Sequence, residues 1–348
     1  MTAVSSLALL TADFDLGDFT TAGGEVLPNA RLRYRVYGDP SLGRTRGWTL
    51  VFHALTGSHE VDRWWGPLFE PGGPLDPAHR PVIAANLLGS CYGSTGPAPE
   101  TWDSPVPFPG LTTADLARAH VPLLAHLGVE RVALATGGSL GGMVALQWAR
   151  EAPIRTDRVV VFAAPAATSA QSIAWNATQR MAIEADPAWN DGHYAAGEGP
   201  TAGLAAARAI AMITYRSGAE FDQRFGRRNG GRPLFEIDNY LRYQGEKLVA
   251  RFDAASYVAL THIMDSHTVG DLPTAARATT ARVGEIVGVG IDTDILYYPS
   301  EVRDWVEAYR AAGARARYVE IASVCGHDAF LIEWDQVVAI LRDDGREG

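Results

Sequence analysis

The chain has 348 residues, 47% of them hydrophobic and 20% charged, which fits one large domain, or one carrying an insertion, and excludes a disordered chain. Its formal charge of −10 excludes a sequence-independent surface for nucleic acid or anionic membrane. Two cysteines, Cys91 and Cys325, make neither a disulfide framework nor a metal cluster and suit a reducing compartment.

No basic stretch precedes the short apolar run at residues 5–10, so a secretory signal is not expected. With no apolar run long enough to span a bilayer, the expectation is a cytoplasmic enzyme. Residues 14–38 alternate, and Leu32-Arg-Tyr-Arg-Val-Tyr37 predicts an antiparallel strand entering a sheet. Short, nearly continuous apolar runs follow at 49–52, 81–86, 132–135 and 159–162, as in parallel strands buried on both faces. Helical stretches lie between them, from Thr113 to Leu127 and from Gly141 to Ala152. This alternation predicts an α/β fold: a mostly parallel central sheet flanked by helices.

From about 168 to 280 the pattern turns helical, over 171–185, 203–214, 240–251 and 255–264. Strand character returns at 283–291 and 316–321, and 329–341 predicts a closing helix. The expected organisation is a core of residues 1–167 and 281–348 split by a helical lid, 168–280, set over the carboxyl ends of the strands. The segment 224–232, rich in glycine and arginine, is expected to be an exposed loop.

The most informative feature is Gly137-Gly-Ser-Leu-Gly141, between the strand-like run 131–135 and the helix-like run 143–149. A serine between small residues at a strand-to-helix turn has the form of a nucleophile elbow. The bland alternative is a glycine-rich turn. A serine hydroxyl needs a base, and the base an orienting acid, and in α/β hydrolases the order is Ser, then Asp or Glu, then His. Among nine histidines, His327 follows the last strand-like run and is the candidate base. His53, ending an earlier strand, could orient a loop instead. Asp292 and Asp294 both follow the strand ending at Ile291, and spacing does not choose between them. An oxyanion hole needs two preorganised N–H groups. Leu140, directly after the serine, offers one, and Leu55 in His53-Ala-Leu-Thr-Gly57 offers the other.

Several segments together resemble the homoserine O-acetyltransferases of methionine biosynthesis, an α/β-hydrolase branch. They are His53-Ala-Leu-Thr-Gly57, residues 86–97, Gly137-Gly-Ser-Leu-Gly-Gly-Met143, 207–216, 240–248, 251–257, Asp292-Thr-Asp-Ile-Leu-Tyr297 and Gly326-His-Asp-Ala-Phe-Leu331. The resemblance implies an α/β-hydrolase fold with an inserted helical lid and selects Asp294 as the acid. It implies that Arg208 holds an amino-acid carboxylate and that Asp328 meets the substrate near its ammonium. By themselves, these two read as solvated surface charges. It further implies ping-pong transfer of an acetyl group from acetyl-CoA to the hydroxyl of L-homoserine, with acetyl-CoA as co-substrate, no resident cofactor or metal, and a homodimer. Succinyl-CoA as donor, L-serine as acceptor, or plain acetyl-ester hydrolysis are the alternatives. The chain departs from the family at Leu140, where many members carry methionine, and in the segments 98–103 and 267–273.

Overall fold

The apolar runs become strands because both of their faces are covered. The computed structural model describes residues 8–102, 107–231 and 235–342. Asp103, Arg232 and the start of the 5–10 run, which figured in the expectations above, lie outside them. Among the described residues, eight strands form one sheet: β1 Ala8–Thr20, β2 Val26–Tyr37, β3 Trp48–Phe52, β4 Val82–Ala85, β5 Arg131–Gly138, β6 Arg155–Phe162, β7 Val283–Ile291 and β8 Ala316–Ile321. Their spatial order is β1-β2-β4-β3-β5-β6-β7-β8. The first two strands are antiparallel additions at one edge, and every pair from β4 to β8 is parallel.

Successive side chains of a strand point to opposite faces. Accordingly, Leu50, Phe52, Val159 and Val161 join one core, while Val51, Val160 and Phe162 join a second. Two buried faces remove the polar alternation, which is why these runs read as continuous in the sequence.

The helices, in chain order, begin with two single turns, α1 Gly43–Arg46 and α2 Val61–Trp64. Then come α3 Thr113–His126 and α4 Leu140–Glu151. Between β6 and β7 lie α5 Ala170–Glu184, α6 Thr201–Tyr215, α7 Gly218–Arg224, α8 Glu236–Val249, α9 Ala254–Asp265 and α10 Leu272–Thr280. Finally, α11 Pro299–Ala311 and α12 Trp334–Arg342 close the chain. The first core joins β-strand residues to α3, α4 and α11 through Leu116, Leu146 and Trp305. The second joins them to the Val61–Phe69 region and α12.

Local chemistry sets several boundaries. Thr112 and Asp115 cap α3 reciprocally, each side chain accepting from the other's backbone N–H. Helix α4 is buried from Leu140 to Ala149. Each large apolar side chain there contributes about 1.5–3 kcal/mol on burial, so the helix behind the elbow is firmly held.

The structure corrects the expected closing helix. Residues Gly326–Leu331 form a 3-10 turn, and the α-helix begins only at Trp334. Trp65 donates its indole N–H to the Phe330 carbonyl at 3.1 Å, and Trp334 N–H bonds Ile332 at 2.9 Å rather than Phe330. The break leaves the Phe330 carbonyl outside the helical ladder, and the tryptophan serves one of its two lone pairs. Helices α7, α10 and α11 were absent from the sequence expectations, although local caps mark their starts: Ser217 accepts the Glu220 N–H, Asp271 the Thr274 N–H and Glu301 the Tyr298 N–H.

Segment 267–273 ties the helical insertion to the core. His267 lies between Thr113 Oγ1 (2.8 Å) and the Pro165 carbonyl (3.0 Å), and Ala167 and Thr268 form an antiparallel bridge. Arg224 ends α7, and the residues after it up to Gly231 are mostly exposed, with Phe225 buried. Among the described residues, no helix is long and apolar enough to cross a membrane.

Candidate active site

Ser139 stands between β5 and α4 with φ 57° and ψ −126°, a left-handed conformation costing a non-glycine residue on the order of 1–3 kcal/mol. Close approach on both sides enforces it. A Cβ on Gly141 would run into the carbonyl oxygen of Phe52, and one on Gly138 into the ring of Phe330. The turn is tied down by Ser139 N–H to the Phe162 carbonyl and Met143 N–H to the Ser139 carbonyl, both 3.0 Å. Ser139 is only 6% exposed.

The two loops beyond β7 and β8 are latched by three consecutive residues. Asp292 Oδ1 accepts the Ser323 N–H at 2.9 Å. Thr293 Oγ1 donates to the Ser323 carbonyl at 2.5 Å and accepts the Gly326 N–H at 3.1 Å. Asp294 Oδ2 meets His327 Nδ1 at 2.7 Å, while its Oδ1 accepts the N–H groups of Leu296 (2.8 Å) and Tyr297 (3.0 Å). Of the two aspartates that spacing left open, Asp292 bonds the Ser323 N–H and Asp294 the imidazole of His327.

Both partners are buried, Asp294 and His327 each being 2% exposed. Burial disfavours the imidazolium, but the charge and hydrogen bond of Asp294 outweigh it, with Asp328 adding, and His327 is raised above its ordinary pKa. Aromatic rings surround the imidazole: Tyr297 at 5.3 Å, Tyr215 at 5.7 Å and Phe330 at 5.8 Å between centroids. Burial raises the phenols of Tyr215 and Tyr297, so both are neutral. His327 Nε2 is buried and has no hydrogen-bond partner among the described residues.

His327 and Ser139 both line a pocket of about 190 Å³. Leu55 lines it from the loop after β3, together with Ala54, Thr56 and Gly57. His53 explains how this loop is held. Its Nδ1 lies 2.8 Å from the Ala54 carbonyl, and its Nε2 accepts the Leu87 N–H at 2.9 Å. Burial pushes its pKa down to about 4, so it is a neutral strut. Leu140 is the first residue of α4, where a backbone N–H has no partner within the helix.

Arg208, from α6, and Asp328, beside His327, line the same pocket. The structure adds partners that the sequence reading did not single out. Arg216, just past α6, pairs with Asp328 at 3.2 Å and with Glu220 at 3.1 Å. Arg251 lines the pocket while donating to the Thr56 carbonyl at 2.7 Å and the Tyr92 hydroxyl at 2.5 Å. Both sit in blocks that carry the family resemblance, but nothing in their spacing marks them as neighbours of Ser139. Cys325 is free and half-buried. Among the described residues, no group of three or more His, Cys, Asp or Glu side chains is placed to hold a metal ion.

Residues 48–254 match the family described as alpha/beta hydrolase fold. The homoserine O-acetyltransferase of Thermus thermophilus is 45% identical over 352 residues, covering 93% of this chain and 88% of that protein. That of Moorella thermoacetica is 40% identical, covering 92% and 91%. Among solved structures, the homoserine O-acetyltransferase of Staphylococcus aureus aligns with a TM-score of 0.79 at 26% identity, covering 97% of this chain and 95% of that one. An esterase aligns with a TM-score of 0.87 over 97% and 100% of the two chains; at 21% identity it speaks for the fold alone. The chain belongs to the homoserine O-acetyltransferase family of α/β hydrolases.

Proposed function

We propose that the protein transfers an acetyl group from acetyl-CoA to the hydroxyl of L-homoserine through an acyl-serine intermediate, as a step of methionine biosynthesis. One observation carries this reading beyond the relatives' names. A serine and an acid-paired histidine share a 190 Å³ pocket with a guanidinium, Arg208, and a carboxylate, Asp328. A zwitterionic amino acid has a group for each, whereas a simple ester has neither.

In the first half-reaction His327 Nε2 takes the Ser139 Oγ proton as the oxygen attacks the thioester carbonyl. Asp294 keeps the other imidazole proton on Nδ1 and balances the imidazolium charge. The N–H groups of Leu55 and Leu140 hold the tetrahedral oxyanion. The intermediate collapses, the C–S bond breaks, and the CoA thiolate leaves with the proton from His327. In the second half-reaction Arg208 binds the homoserine carboxylate and Asp328 its ammonium, with Arg216 fixing the orientation of Asp328. His327 removes the hydroxyl proton, the oxygen attacks the acyl ester, and the proton returns to Ser139.

Water would compete for the acyl-enzyme, and excluding it is the task we assign to the helical insertion 168–280 over the core of 1–167 and 281–348. The same reading places the enzyme in the cytoplasm as a homodimer, which sedimentation velocity tests directly.

The deciding experiment offers the purified protein acetyl-CoA or succinyl-CoA, each with L-homoserine, L-serine or no acceptor, while CoA release is followed. Release from acetyl-CoA that depends on homoserine is expected. Release independent of acceptor would show a hydrolase instead, and a preference for succinyl-CoA or serine would reassign donor or acceptor. Ser139→Ala is expected to abolish the covalent acyl-enzyme seen by intact mass.

A further inference from the structure

At the end of the sheet remote from Ser139, the first residues of β5, β6 and β7 open on a cavity of about 830 Å³. Six arginines line it: Arg80, Arg131, Arg155, Arg158, Arg315 and Arg342. Among the described residues, the carboxylates in the lining are Asp76, Asp157 and Glu285. Arginines are thus gathered in one concavity of a chain whose formal charge is −10. Such a concavity concentrates field and draws anions.

The carboxylates are already engaged. Asp157 holds Arg131 at 2.5 Å and lies 3.8 Å from Arg155. Glu285 holds Arg158 at 3.1 Å and lies 3.7 Å from Arg315. Asp76 accepts the backbone N–H groups of Gly72 and Ala78. Arg131 and Arg155 lie side by side in register on adjacent strands, where like charges repel.

Arg80 and Arg342 both lack an ion pair among the described residues; Arg342 donates to the Gly72 carbonyl, and Arg80 is left the poorer in partners, its Nε being buried with no hydrogen-bond partner among them. Burial, and then the charge of Arg131, hold its pKa below the ordinary value, the direction that a bound anion would reverse. A guanidinium presents a planar fork of donors suited to phosphate oxygens.

We propose that this cavity binds a multiply charged, phosphate-bearing small molecule, with Arg80 as principal donor and Arg131, Arg155 and Arg342 completing the site. The ligand would join the loop before β4, the starts of β5 and β6, and the end of α12, and so raise the stability of the fold by mass action.

The test is calorimetric titration and thermal melting of the full chain in low-salt buffer, with pyrophosphate, inorganic phosphate and citrate as probes. The sequence places Asp343 and Asp344 directly after Arg342. A D343N/D344N chain is therefore titrated in parallel, so that internal carboxylates competing for the arginines cannot conceal binding. Pyrophosphate is expected to bind more tightly than phosphate or citrate and to raise the melting temperature. Arg80→Gln should weaken binding about tenfold, the effect of losing one charge-assisted contact. Arg155→Gln, at a side chain 81% exposed and so harmless to folding, should weaken it measurably as well. Both should leave homoserine-dependent CoA release unchanged. The proposal fails if neither chain binds pyrophosphate up to about 10 mM, or if neither substitution weakens binding. It also fails if binding is lost in Arg208→Gln instead, which places the anion in the catalytic pocket, or if citrate binds as tightly as pyrophosphate.

Discussion

Replacing Asp294 with asparagine tests the proposed mechanism at its least exposed point. The substitution is isosteric. The Asn oxygen is required at the Oδ1 position, because the N–H groups of Leu296 and Tyr297 both donate there, at 2.8 and 3.0 Å. The amide NH2 must then face His327 Nδ1, the atom that Asp294 meets at 2.7 Å. A donor facing Nδ1 forces the neutral imidazole to carry its proton on Nε2, which then cannot accept a proton from Ser139.

Reaching the productive tautomer would set donor against donor. It would forfeit a charge-assisted hydrogen bond and leave a buried N–H unpaired, about 3–6 kcal/mol together. That corresponds to about 10²- to 10⁴-fold in rate, in line with the loss of about 10⁴ for the same change in a serine protease. The pH profile adds a second, signed readout. Asp294 raises the His327 pKa against burial, so in the parent protein the neutral base is lost as pH falls through a value above the ordinary 6.5. Without the carboxylate, burial dominates and the acid limb should move to lower pH, even as the rate falls. The assay is the acyl-enzyme burst and steady-state CoA release from pH 5 to 9, with melting curves to verify the fold. A kcat/KM within tenfold of the parent, on an unchanged acid limb, would refute the reasoning.

Gly141→Ala should destabilise the protein by about 1–3 kcal/mol or more, since the clashing groups are the backbone carbonyls of Phe52 and His53; an unchanged denaturation midpoint would contradict the close-packed elbow. Arg208→Lys keeps the charge but loses the fork, and should raise KM for homoserine about 10- to 100-fold while the acetyl-CoA burst stays near normal. An equal loss in the burst would instead place Arg208 in the first half-reaction. Cys325→Ser should retain activity within a fewfold by CoA release, because the half-buried Cys325 has no part in the mechanism; a loss of orders of magnitude would overturn that.

The parallel sheet was legible because strands buried on both faces leave a continuous apolar run, as at Val159, Val160 and Val161. Helices α3 to α6, α8 and α9 were legible through periodicity, whereas α7 and α10 are short and the 13-residue α11 was not singled out. The closing helix was set too early along the chain: the Phe330 carbonyl before it is served by the Trp65 indole, 265 positions away, and no local pattern reports such a partner. In the site, Ser139 was marked by its neighbours along the chain, and glycines at 138 and 141 declared the tight packing. The choice between Asp292 and Asp294 rested on the resemblance until the latch to Ser323 and His327 gave it a geometry.

By itself, then, the sequence determined what depends on near neighbours: the period of most strands and of the longer helices, the tight turn at Ser139, and the chain order of Ser139, Asp294 and His327. The tertiary structure alone decided what depends on distant meetings. It paired Asp328 with Arg216, brought Arg251 to the pocket, and made His53 a neutral strut under the Leu55 loop. The reason is physical. Periodicity and turn chemistry are local, but the partner of a buried charge or hydrogen-bond donor is chosen by how whole layers pack.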